Sequence, residues 1–157
     1  MAVALDAIGT EATNFPGSSS GVTYTGLTIS GGLTNSALLV IVNTGNNGAT
    51  PPTGLSATWN GVNVPIITGT TINRAGGDFQ INMLGLANPA SGNQSLVISW
   101  GGGTYSYSIV ALSFQGADQT TPFINGTTNT ATSGSLSVAI TSPTGDYAVG
   151  GYGLPVT

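Results

Sequence analysis

The chain has almost no charge. One Arg and five acids are all it carries in 157 residues, so charged side chains make up 4%. An ordinary soluble domain carries roughly 25%. Lys, His and Cys are absent altogether. Without His or Cys there is no Ser-His-Asp or Cys-His nucleophile. Without Lys there is no Schiff base, and without Cys no disulfide framework or thiolate metal site. A single cation cannot form the clustered Lys and Arg surface that binds phosphates. Nucleic acid is therefore excluded as a partner, and so is an anionic membrane surface reached through a polybasic patch. No apolar run approaches the length of a membrane helix. Residues 1–6 carry no basic segment followed by a long apolar stretch, so they do not read as a secretory signal.

What the chain does have is 39% apolar residues, 25 glycines and 8 prolines. That is enough apolar material for one cored domain, and too much for a disordered segment. The glycines follow no three-residue period, so collagen is excluded. Helix-favouring Lys, Glu and Arg are missing or nearly so, and period-two alternation recurs instead. Strands are expected at Gly21–Ser30, Ala37–Asn43, Leu55–Trp59, Val62–Ile67, Phe79–Ala87, Ser95–Trp100, Tyr105–Phe114 and Leu136–Ile140, with another beginning at Tyr147. Ala37–Asn43 is continuously apolar, as a strand covered on both faces would be. Asn60-Gly61 between two such runs marks a type I′ hairpin. Pro65 suits a sheet edge or a bulge.

These signals predict an all-β fold: an antiparallel β-sandwich of jelly-roll type with eight or nine short strands. Residues 1–15 read as an N-terminal arm or first strand, 16–151 as one sandwich domain, and 152–157 as a tail.

The segment Ala111-Leu-Ser-Phe-Gln-Gly-Ala-Asp-Gln-Thr-Thr-Pro-Phe123 resembles a motif of low-charge β-sandwich modules in phage virion proteins and bacterial surface proteins. Leu38–Val42, Thr58-Trp-Asn-Gly-Val62 and the turn and strand Leu86–Ile98 are similar to further parts of that pattern. The likeness spans roughly residues 20–150 and carries no catalytic residues with it. It implies a sandwich and a place on an outer surface. The modules it resembles continue with further strands beyond the position of Gly151.

Few residues are candidates for chemistry. Asp78, Asp118 and Asp146 sit beside glycine or in turns, where Asp caps backbone N–H groups; the competing roles are a carboxylate pair or a Ca²⁺ site. Gly101-Gly-Gly-Thr104 follows a strand, but no Lys follows it, so it reads as a hairpin turn and not as a phosphate loop. No cofactor is expected. Trp59, Trp100, Tyr105 and Tyr107 have two readings: a glycan-stacking platform, or inward core. Arg74, Phe15 and Tyr152 are candidate subunit contacts, with Ala2–Phe15 and Tyr152–Thr157 as contact arms.

The expectation is a non-enzymatic structural protein: a phage capsid decoration or fibre component on the virion surface, made in the host cytoplasm. Its partners would be copies of itself and a major capsid or tail protein. A carbohydrate-binding module, free or at a fibre tip, is the alternative. A bacterial surface filament subunit, outside the cell, is the second.

Overall fold

In the computed structural model, residues 2–45, 50–73, 79–130 and 137–151 are described, except for the side chains of 15–18. Every regular element among them is a strand, and every pairing is antiparallel. The strands are β1 (Ala4–Ile8), β2 (Ala12–Ser19), β3 (Gly21–Tyr24), β4 (Thr28–Ile29), β5 (Ala37–Gly45) and β6 (Thr53–Trp59). They continue with β7 (Val62–Asn63), β8 (Ile72–Asn73), β9 (Phe79–Ala87), β10 (Gly92–Asn93), β11 (Leu96–Gly101) and β12 (Tyr105–Gln115). Twelve strands stand where eight or nine were expected, because four are two-residue pairings and two precede residue 20.

The large sheet runs β1–β12–β5–β9–β8, with β2 on the same side of β12 as β1. The second runs β3–β11–β6–β7, and β4 pairs with β10 alone. The pairings are nested: β2 with β12, β3 with β11, β4 with β10, β5 with β9, and β6 with β7. The chain is thus one long hairpin folded over on itself. Its tip is Asn60-Gly61, with φ of 48° and 78°, the positive pair that a type I′ turn demands.

One core joins the sheets. Leu38, Val40 and Val42 of β5, Leu84 of β9 and Ile109 and Ala111 of β12 face Ala57 and Trp59 of β6 and Leu96, Ile98 and Trp100 of β11. Strand β5 is buried on both faces, as its unbroken apolar run predicts. Its even-numbered residues enter the core, and Ala37, Leu39 and Ile41 point outward beneath the chain that follows β12.

Three expectations need correction. Gly21–Ser30 is not one strand. The Gly26 carbonyl accepts the Thr10 N–H at 3.0 Å, which turns the chain between β3 and β4. The hairpin's return arm stops at Asn63, because Pro65 has no N–H to donate. Its carbonyl instead accepts the Gly85 N–H at 2.9 Å, carrying the chain over to the large sheet. Residues 137–151 contain no strand, although Leu136–Ile140 alternates and one was expected at Tyr147. Leu136 itself lies outside the described residues.

Asp6 ties β1 down. Its carboxylate accepts from Ser113 Oγ at 2.7 Å and from the Ser30 N–H at 3.1 Å. Burial pushes its pKa up, but the bonds from Ser113 and Ser30 outweigh that and hold it below the ordinary 3.8. The folded pKa lies below the unfolded one. The stability it contributes is therefore complete above pH 3.8 and lost as pH falls through the folded value. Thermal melts of wild type and Asp6→Asn should differ at pH 7 and converge in acid. An equal gap at both pH values would refute this role.

Candidate functional site

The aromatic platform does not exist as a surface. Trp59 is 0% exposed, Tyr105 1% and Trp100 5%, and Tyr107 is half-buried against the same core. The Trp59 indole N–H donates to the Ala90 carbonyl at 2.8 Å, and that of Trp100 to Ser19 at 2.8 Å. Trp100 meets Tyr107 edge-on at 5.8 Å. A buried ring offers a sugar little to stack on, so burial favours the inward reading for Trp59, Trp100 and Tyr105.

The described acids take part in local hydrogen bonds. Asp118 Oδ1 accepts the N–H groups of Thr120 at 2.7 Å and Thr121 at 2.8 Å, and these bonds lower its pKa. Asp146 closes a turn by donating its N–H to Pro143. Glu11 accepts from Ser108 Oγ. Among the described residues, no three metal-ligating side chains come together. Nor is any helix there long and apolar enough to cross a membrane. Arg74, Asp78 and Tyr152 lie outside the described residues, as does the side chain of Phe15, whose backbone belongs to β2.

The sequence motifs meet at one end of the molecule. The Ser36 carbonyl accepts both the Asn88 N–H at 2.8 Å and the Gln119 side-chain amide at 3.1 Å. Trp59 and the Asn60 N–H reach across to Ala90 and Ser95. The hairpin tip, the Asn-Pro turn and the Asp118–Phe123 segment therefore brace one another. Their residues build the fold at this end.

That bracing aims the chain over the outer face of the large sheet. Gly116 and Ala117 donate to Thr34 and Asn35, and Phe123 is then laid on Gly85. A Cβ at Gly85 would stand 2.2 Å from the Phe123 ring, so only glycine admits it there. Further on, Tyr147 packs against Phe114 with ring centroids 5.4 Å apart. Gly145 accepts the Val3 N–H, and Gly151 rests on Ile41 and Met83. We refer to the described runs 116–130 and 137–151 as the strap. Between strap and sheet lies a partly open cavity of about 490 Å³, floored by Leu39, Ile81, Met83 and Phe114.

The two outer faces differ in chemistry. On the smaller sheet, Thr23, Val97 and Thr58 share one cross-strand row, and Ser56 bonds Ser99 at 3.0 Å. On the strap side, Leu5, Ile8, Ile124, Val138, Ile140 and Tyr147 stay 36–62% exposed. The smaller sheet also exposes Val62 at 54% and Val97 at 44%, but six of the nine exposed large apolar side chains among the described residues lie on the strap side, the larger candidate for an interaction surface. Comparison with family models, curated proteins and solved structures finds no match to this chain.

Proposed function

We propose that this chain is a non-enzymatic structural protein of a virion, a capsid decoration or fibre component. It acts by packing against copies of itself and against a major capsid or tail protein on the virion surface. The apolar strap side carries this reading. A surface nearly free of charge lets many identical copies sit close together without like-charge repulsion.

The strand order supports assigning the sandwich to the jelly-roll class. The nested pairs place β2–β12–β5–β9 in one sheet and β3–β11–β6–β7 in the other. Successive principal strands alternate between sheets until the hairpin tip and alternate again on the way back. Eight strands wrapped in this way make a jelly roll, an architecture shared by viral capsid and lectin domains. Fold alone does not choose between those two. The burial of Trp59, Trp100 and Tyr105 favours the packing role over the lectin role.

The test is size-exclusion chromatography with light scattering at 0.05 and 1 M salt. We expect a multi-copy particle whose mass does not change with salt, because there is little Coulomb energy to screen. A single-chain mass at every concentration would overturn the reading, and measurable glycan affinity beside it would favour the carbohydrate-binding role instead.

A further inference from the structure

We infer that the strap is exchanged between copies: in the assembled state, the described strap runs of one chain, 117–130 and 137–151, cover the outer face of the large sheet of a second. This rests on the assembly role proposed above and names the surface that performs it.

The structure shows what belongs on that face, because the chain's own strap lies there. Phe123 fills the space over Gly85, Tyr147 meets Phe114, and Gly151 rests on Ile41. A second copy carries the same strap, so exchange needs no new recognition chemistry, and such swapping is a low-cost route to an oligomer. The exchange point would be Gly116, where the strap leaves β12. Gly116 has φ +77°, a region that glycine enters without strain.

The strap is also poorly satisfied within one chain. Ser137-Val-Ala-Ile-Thr141 alternates as a strand does, yet it has no ladder partner, and Val138 and Ile140 remain 38% and 48% exposed. Side-chain amides of Asn125 and Asn129 bond the Thr141 and Ser137 carbonyls, which holds the strap to itself and not to the sheet. Apolar alternation of this kind gains by reaching an edge or face on another copy. A charged partner would find only the acids Asp118 and Asp146 lining the cavity, which suits a second copy better than a polyelectrolyte.

The absence of cysteine gives a clean experiment. A Cβ at position 151 would lie 2.9 Å from Ile41 Cγ2, within the geometry of a disulfide. The double variant Ile41→Cys, Gly151→Cys is assembled, oxidised and run on a non-reducing denaturing gel. Exchange predicts bands at twice the single-chain mass and above, which collapse on reduction. Bridging confined to single chains, or no bridging, overturns the exchange. The pair Ala2→Cys, Gly145→Cys, whose Cβ atoms would stand 3.8 Å apart, repeats the test at another point along the strap, in case the first pair folds poorly. Light scattering on the wild type separates the two ideas. Multi-copy particles with only intrachain bridges sink the exchange and leave the assembly role standing. A single-chain wild type sinks both.

Discussion

Trp59→Ala should lower unfolding stability by about 3–5 kcal/mol, the usual range for deleting a buried aromatic ring. The residue sits at the end of β6, beside the hairpin tip, and is 0% exposed. Its ring fills the core between the sheets, so alanine leaves a cavity that neighbouring strands, fixed by their ladders, cannot close. The lost bond to Ala90 adds little, because Ala90 is exposed and its carbonyl can bond to water instead. Volume is therefore the main term and the hydrogen bond the smaller one. Trp59→Phe separates them: it keeps most of the ring, loses the N–H, and should cost about 1–2 kcal/mol. For a domain of this size, the alanine variant should melt roughly 6–20 °C lower. Urea titration should show a shifted midpoint at an unchanged slope. A loss under ~1 kcal/mol would mean that Trp59 is not the core residue described. Since domains hold only about 5–15 kcal/mol in total, this substitution approaches the limit of foldability.

Much of this architecture could be read from the residues, for reasons that differ by strand. Leu96–Trp100 alternates because one face meets the core, whereas in Phe79–Ala87 the alternating Ile81 and Met83 face the strap and the core side carries Leu84. The Asn60-Gly61 tip was legible because few residue pairs accept two positive φ angles. Strand β2 was not legible. Ala-Thr-Asn-Phe-Pro-Gly-Ser-Ser has no alternation, and its strand character comes from the neighbouring edge of β12. The register jumps between Tyr105 and Tyr107, so β2 accommodates Pro16 and Gly17 where the ladder is irregular. The strap misled in the opposite direction. Its alternation promises a strand, but the strap crosses the outer face of the large sheet and does not run beside an edge, so it forms no ladder there.

The site was harder to read than the fold. Phe123 stood out as the end of a motif, but nothing in the sequence pairs it with Gly85, 38 positions earlier. That pairing exists only once β9 has been laid beside β5. The tryptophans and tyrosines illustrate the converse. Aromatic residues in strands suit a sugar platform and a core equally well in sequence, and burial alone decides between them.

Gly9→Ala should destabilise the protein by about 1–3 kcal/mol, and Tyr24→Phe should rescue it. Gly9 joins β1 to β2 and is buried beneath Tyr24. A methyl group there would stand 2.0 Å from the Tyr24 hydroxyl oxygen, where no rotation of a short side chain can relieve the overlap. With that oxygen removed, the nearest neighbours are Gly26 O and Leu27 Cβ, both at 3.1 Å, and small shifts suffice. The hydroxyl is buried with the Ala111 backbone near it but no hydrogen bond of good geometry, a condition that costs stability. Tyr24→Phe alone should therefore be neutral or up to about 1 kcal/mol stabilising. Gly9 has no positive φ, so alanine there also restricts the unfolded chain, at a gain of about 0.4–1 kcal/mol. In the phenylalanine background that gain should surface, leaving the double variant within about 1 kcal/mol of wild type. The measurement is a double-mutant cycle by urea unfolding. A coupling of at least about 1 kcal/mol is expected, and additivity within about 0.5 kcal/mol would refute the contact. The pair shows how a nearly chargeless chain fixes its first strands: steric fit sets the approach of β1 to β3, and the carboxylates of Asp6 and Glu11 anchor β1 and the start of β2 to β12.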